Sequence, residues 1–393
     1  MLRPPVVVIA PDSFKGSVSA AAAAAAIAAG IRRVWPDAEL RLCPMADGGE
    51  GTLDAVLSCG GQRASARVAG ASGAPVEAGY GLLDGSRTAV IESAQVVSLT
   101  DPTGTAVDVE MRSTYGIGEL MLHLLDAGAR QFMIGLGGSS TNDGGAGLLA
   151  ALGIALTSAD GRGVEPTPAG LAALAAVDAS RLDPRLAVSR ITIMSDVTNP
   201  LCGSHGATAI FGPQKGVRAD RIATIDARIA HFAVLSERAV GRSAQDLPGA
   251  GAAGGLGFAL QLLGGEARSG AEVVAELVGL DAALDGADWL ITGEGRSDAQ
   301  TLQGKTPQVV ARHAAARHIP ATLISGGIDA AALPELSRDF AGCFALPSGP
   351  ATLQQCLASA DSLLTDRAEQ AARLWAAAGV NAARATTRYS AAG

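Results

Sequence analysis

The chain has 393 residues, 48% of them apolar and 17% charged, enough for two domains with a large core, so global disorder is excluded. A net charge of −8 with only 13 aromatic residues excludes the basic, stacking face of a nucleic-acid binder. Five scattered cysteines without a CxxC pair are no disulfide framework, and they point to a reduced, cytoplasmic compartment.

The apolar run 6–10, closed by Pro11, reads as a buried parallel strand and is too short for a signal segment. Ser17 is expected to cap an alanine-rich helix ending near Arg33, at most half a membrane span. Residues 40–44 read as a second strand, followed by loop 46–51 and a helix to about Cys59, the opening of a doubly wound sheet. Residues 64–69, 75–83 and 88–92 then alternate like antiparallel strands, with Asp84-Gly85 as a hairpin turn. A helix over 115–127 and a strand over 131–134 lead into loop 135–145, which opens another helix. Strands are expected over 191–195 and 207–211, and 249–257 turns into a helix. The doubly wound rhythm returns near Asp281, with strands over 289–292, 321–325 and 342–346 and a long C-terminal helix. The pattern implies a discontinuous α/β domain, 1–62 plus 282–393, with a mixed α/β domain, 63–281, inserted. A ligand is then expected in the cleft between them.

Glycine stands at 50 residues, about 13% against a usual ~7%, and clusters in loops of the kind that surround anions. Only three of the 30 basic residues are lysines, Lys15, Lys215 and Lys305, and each lies beside a glycine. A lysine is a compact point charge, suited to places where backbone approaches a phosphate closely.

Loop 135–145 (Gly-Leu-Gly-Gly-Ser-Ser-Thr-Asn-Asp-Gly-Gly) is the most distinctive. Small residues let N–H groups converge on an anion, and the following helix adds its dipole. Gly137, Gly138 and Gly144 are candidates for that backbone contact. Ser139, Ser140, Thr141 and Asn142 are candidates for side-chain contact, and Asp143 suits Mg²⁺.

Segment 293–307 nearly matches two nucleotide signatures and fails both: Asp298 replaces the last glycine of GxGxxG, and Ala299 stands where a Walker A loop needs glycine. What remains is still chemically rich. Arg296 can grip a carboxylate with two donors. Asp298 or Glu294 can serve as base or metal ligand. Loops 12–17 and 47–52 fall at strand ends, where open α/β sheets bind ligands. Ser13 and Lys15 suit an anionic group; Asp47 and Glu50 suit Mg²⁺ or a hydroxyl, although Asp47 is also an ordinary helix N-cap residue. Loop 195–200 offers Asp196 as a general base, with Asn199 beside it. Lys215 can neutralise phosphoryl charge, and His205 reads as structural. No GxSxG, HExxH or EF-hand pattern occurs, whereas separate Gly-, Lys- and carboxylate-bearing loops are what phosphoryl transfer requires.

Five of these stretches, 10–17, 45–52, 137–145, 211–216 and 292–298, resemble the motifs of the bacterial glycerate kinase family with a flavodoxin-like domain, the glycerate 2-kinase type. They arrive in family order and span nearly the whole chain. Ser140 stands where the family pattern has alanine, and Val18 where it has leucine. The resemblance implies a Rossmann/flavodoxin-like domain plus a second α/β domain. It also implies ATP-dependent phosphorylation of D-glycerate, usually to 2-phosphoglycerate, with Mg²⁺.

The residue reading joined to this has the glycerate C2 hydroxyl attacking the γ-phosphorus of MgATP between the domains. Asp196 or Asp298 takes the proton. Arg296 or Lys15, with Ser13 and Asn199, holds the substrate. Loop 137–145 and Lys215 or Lys305 hold phosphates, and Asp47, Glu50, Asp143 or Glu294 lie near Mg²⁺. The expected partners are the small molecule and, at most, a second copy in a homodimer; nucleic acid and membrane are not expected. A kinase making 3-phosphoglycerate, a kinase of another hydroxy acid or sugar, and a non-catalytic phosphometabolite-binding regulator stay open.

Overall fold

The computed structural model describes residues 4–390. Its strands in chain order are β1 Val6–Ile9, β2 Glu39–Leu42, β3 Gln62–Ala69, β4 Pro75–Leu83, β5 Thr88–Glu92, β6 Gln131–Gly135, β7 Ala155–Ser158 and β8 Leu174–Asp178. There follow β9 Arg190–Met194, β10 Glu266–Arg268, β11 Trp289–Thr292, β12 Arg296–Ser297, β13 Ala321–Ser325, β14 Gly327–Ile328 and β15 Gly342–Ala345. The chain divides into two compact units, Met1–Ala46 with Asp54–Ser58 and Val274–Gly393, and Asp47–Leu53 with Cys59–Val273. The short segment Asp47–Leu53, grouped by its pattern with the first domain, belongs to the second unit.

The first unit holds a five-stranded parallel sheet in the order β15-β13-β11-β1-β2. Its inner strands are buried along their whole length and mostly apolar because both faces are covered. The alanine helix Ala20–Arg32 buries Ala20, Ala23, Ala24, Ile27, Ala28 and Ile31, the spacing of one helical face. Small side chains let it lie close to the C-terminal helix Ala360–Ser390; a Cβ on Gly30 would meet Thr365 O at 2.1 Å. Trp289 stacks on Trp375, with ring centres 5.7 Å apart, and donates its indole N–H to Thr322 Oγ1. The helix is capped by Ser19, which accepts from Ala22 N, and not by Ser17, whose hydroxyl donates to Leu357 O.

The second unit holds a six-stranded mixed sheet, β10-β9-β6-β5-β4-β3. The β3–β4–β5 part is antiparallel, as the alternation predicts, and the β5–β6–β9–β10 part is parallel. Its core packs Phe132, Phe232 and Phe258 among aliphatic side chains. One expectation fails here. Residues 207–211 form the helix Ala207–Phe211, with Ala207 and Thr208 buried and Ile210 exposed. Periodicity alone cannot assign an apolar run this short, and the exposure pattern is that of a helix face. No disulfide joins the five cysteines. Among the described residues no helix is long and apolar enough to cross a membrane.

Candidate functional site

In the first unit, β1 leads to β2 on one side, while β11 lies on its other side and leads outward to β13 and β15. The order therefore reverses between β1 and β11, and ligands in open α/β sheets bind beyond the C-terminal ends at such a point. The loops there are laced together by backbone hydrogen bonds. Asp12 N donates to Gly293 O, Gly326 N to Glu294 O and Asp329 N to Ser297 O, at 2.8–3.0 Å. The small parallel pair β12–β14 continues the lacing.

Glu294 is buried, and Oε1 accepts from Thr301 Oγ1 at 2.6 Å and Ser297 Oγ at 2.9 Å. Loss of hydration pushes its pKa up against these donors. Ser325 Oγ lies 2.7 Å behind Ser297 Oγ. Asp12 Oδ2 accepts from Thr306 Oγ1 in the first turn of the helix Thr306–Ala315, with Lys305 at its N-cap. Asp298 accepts from Gln300 N, and Ser13 N donates to Asp12 Oδ1. The cations contrast with these carboxylates. Among the described residues, the ammonium groups of Lys15 and Lys305 have no hydrogen bond or ion pair. Arg296 is 73% exposed and no closer than 3.9 Å to Asp298 and 4.0 Å to Asp329. Three positive groups near one switch point are thus available to an anion.

In the second unit, loop 47–53 crosses the C-terminal ends of the parallel strands. Gly137 N donates to Gly48 O, and Leu53 N donates to the buried Glu92 Oε1 at 2.6 Å. The crossing is so close that a Cβ on Gly137 would sit 2.4 Å from Gly49 Cα, and one on Gly270 would sit 2.0 Å from Asp47 O. Glycine is required at both positions for lack of room. Asp47 is thereby placed beside Asp196, just past β9. Asp196 accepts from the Ser269 hydroxyl and Gly270 N. It remains open to solvent, yet its carboxyl is pushed up to about 6, first by lost hydration, with Asp47 and Glu272 adding like charge. Ser269 and Glu272 were not picked out from the sequence. The signal available was the S-x-x-E spacing of a helix start, and Glu272 N does donate to Ser269 Oγ.

Loop 135–145 is not the open cradle its composition suggests. Ser140, Thr141, Asn142 and Asp143 have 0% exposure, and Gly144 is buried. Ser140 N and Oγ both donate to Val97 O, and Gly144 N donates to Gly254 O. Only Gly137, Gly138 and the 5%-exposed edge of Ser139 can meet a ligand. Lys215 is buried as well; Nζ donates to Ser139 Oγ at 3.1 Å and Thr141 O at 2.8 Å. Burial lowers its pKa to about 7. Asn142 donates to Thr208 Oγ1, and Asn199 donates to His205 O.

The four carboxylates considered for Mg²⁺ differ. Asp143 takes four donors, from Thr114, Gly145 and Gly147, and is committed to the interior. Glu294 is tied by two hydroxyls. Asp47 uses Oδ1 for Gly49 N, and Glu50 is exposed. Among the described residues no group of three His, Cys, Asp or Glu side chains is gathered to hold a metal ion.

A parallel-sheet domain with cations at its switch point, accompanied by a mixed α/β unit with a glycine-rich strand end, defines an α/β protein of two units. The chain belongs to the glycerate kinase family, whose model matches residues 7–376. It is 41% identical over 369 residues to a glycerate kinase of Halalkalibacterium halodurans, covering 93% of this chain and 96% of that one. It is 42% identical over 324 residues to the glycerate 2-kinase of Escherichia coli, covering 82% and 85%. The crystal structure of a "putative glycerate kinase 2" from Salmonella typhimurium LT2 superposes with a TM-score of 0.85 at 40% identity, covering 96% of this chain and all of that one.

Proposed function

We propose that this protein is an ATP-dependent kinase that phosphorylates D-glycerate on its C2 hydroxyl, giving 2-phosphoglycerate and ADP. The observation that carries the reading is the match to glycerate kinases along nearly the whole chain, a glycerate 2-kinase among them. The geometry of each unit supports roles for its own residues. In the first unit, Lys15, Lys305 and Arg296 take negative charge of substrate and nucleotide. At a place suited to ligands, the Lys15 and Lys305 ammonium groups have no hydrogen bond or ion pair among the described residues, and Arg296 has only two long ones, to Asp298 and Asp329. In the second unit, Asp196 takes the proton of the C2 hydroxyl as its oxygen bonds to the γ-phosphorus and the bond to the ADP oxygen breaks. A carboxyl titrating near 6 is ionised at neutral pH and basic enough to accept it. The exposed end of loop 135–145 offers backbone N–H groups and the Ser139 hydroxyl to phosphate oxygens.

Mg²⁺ held mainly by nucleotide phosphates and water needs one or two protein carboxylates, which Asp47 and Glu50 can supply. Its contribution is to neutralise charge on the transferred group. The absence of disulfides supports a reduced, cytoplasmic setting.

ADP release measured with D-glycerate, glycolate, lactate and hexoses tests the substrate class, and ³¹P NMR of the product tests the position. Turnover is expected with D-glycerate, with phosphorus split into a doublet by the single C2 proton. A triplet from a methylene would assign the C3 hydroxyl instead. No ADP release with any acceptor would favour a binding protein without catalysis.

A further inference from the structure

Arg112 is 5% exposed, yet among the described residues its guanidinium forms no ion pair. Every hydrogen bond it makes goes to a main-chain carbonyl. Nε donates to Val107 O at 3.1 Å, and Nη1 donates to Ser140 O at 3.1 Å and Lys215 O at 3.0 Å. Nη2 donates to Thr105 O at 3.1 Å and Val107 O at 2.9 Å. One planar fork thus joins three segments far apart in sequence, a geometry an ammonium cannot reproduce.

The contacts continue towards the reachable end of loop 135–145. Arg112 holds the main chain of Ser140 and of Lys215. The Lys215 ammonium in turn holds the residues on either side of Ser140, through Ser139 Oγ and Thr141 O. Of the polar residues 139–143 in that turn, Ser139 alone keeps any exposure. We propose that Arg112 is a positioning residue of the kinase, fixing Ser139 through Lys215 and Ser140 so that its hydroxyl donates to a phosphate oxygen of the nucleotide. The proposal rests on the reading that this end of the loop takes nucleotide phosphates.

The hydrogen-bond inventory explains why the charge of Arg112 matters as well as its shape. A protonated Lys215 can only donate to Ser139 Oγ, which leaves the serine's own proton for a ligand. A neutral amine can accept that proton and turn the hydroxyl inward. Two charged groups act on the Lys215 proton besides burial. Asp143, on the loop after β6, favours it, and Arg112 disfavours it. Asp108 acts in turn on Arg112.

The test is KM for ATP and kcat from pH 6 to 9, with urea midpoints, for the full-length wild type and the variants Arg112→Lys, Arg112→Met and Ser139→Ala. Arg112→Lys is expected to raise KM for ATP roughly tenfold with kcat nearly unchanged, the scale of one or two lost charge-assisted hydrogen bonds. Because the charge stays, the rise of KM above about pH 7 should stay as well. Arg112→Met is expected to raise KM and to move that rise to higher pH, since a repelling cation is gone. If both folded variants show only a lower urea midpoint, with KM and its pH profile as in wild type, Arg112 is merely structural and the proposal falls. If Arg112→Met does not fold, Arg112→Lys decides through KM. Ser139→Ala separates the two readings. An unchanged KM for ATP there removes phosphate binding at this end of the loop. A raised KM there with wild-type behaviour in Arg112→Lys removes the role of Arg112 alone.

Discussion

Thr114 holds Asp143 twice, its N–H and its hydroxyl both donating to Oδ2 at 2.8 Å. The same hydroxyl accepts from Leu148 N, while Gly147 N donates to Oδ2 and Gly145 N to Oδ1. The carboxylate thus ties the start of the helix Tyr115–Asp126 to the turn entering the helix Ala146–Ala151. Burial pushes its pKa up, and the four donors oppose that.

Asp143→Asn should therefore act on stability. The amide side chain presents donors where donors already point, so a buried N–H or O–H loses its acceptor, at a cost of about 2–4 kcal/mol. Urea denaturation checks this. A variant of wild-type stability whose Mg²⁺ requirement had changed would return Asp143 to the metal.

The composition of loop 135–145 could not reveal this burial. Glycines and hydroxyls build an open phosphate cradle, and they equally build an interior turn where backbones touch. Here a Cβ on Gly254 would lie 2.1 Å from Thr141 O, so the glycines serve close packing. The strands were legible because apolar runs and strict alternation are local signals. The neighbourhood of Asp196 was half legible: its strand-end position could be read, but the nearness of Asp47 and Glu272 depends on chain crossings that no local pattern encodes. Arg112 carried no signal at all, being one arginine among 27.

Asp196 gives a pH prediction. The base must be ionised, so kcat/KM, which reports on the free enzyme, should fall as pH drops through about 6 and level off above it. Asp47 adds like charge and raises this pKa, so Asp47→Asn should move the acid limb to lower pH. Asp196→Asn should lower kcat by about 10²–10⁴-fold with the fold intact, the usual contribution of a positioned base. An acid limb unmoved in Asp47→Asn, together with near-normal turnover in Asp196→Asn, assigns the proton to another group.

Lys305 makes the opposite case from Asp143. Its ammonium has no hydrogen bond or ion pair among the described residues, so Lys305→Ala should change stability by no more than about 0.5 kcal/mol. Its loss should fall on phosphoryl charge instead, lowering kcat on the order of a hundredfold. Stopped-assay kinetics beside a thermal melt read both. A large loss of melting temperature with kcat per folded molecule unchanged would make the lysine structural.

Lys215 links stability to pH with a sign opposite to that of a lysine in a favourable ion pair. Its folded-state pKa lies near 7, below the ordinary 10.5, because burial removes water from the ammonium. Between these values the unfolded chain holds a proton that the folded protein does not, so stability rises with pH across that window. Below about 7 both states are protonated, and the cost of the buried charge is present in full. Lys215→Met removes this dependence and leaves other titrating groups in place. The wild-type urea midpoint should therefore climb relative to the variant between pH 7 and pH 9. A difference that stays flat over that range means the ammonium keeps its charge in the interior, supported by Ser139, Thr141 and Asp143.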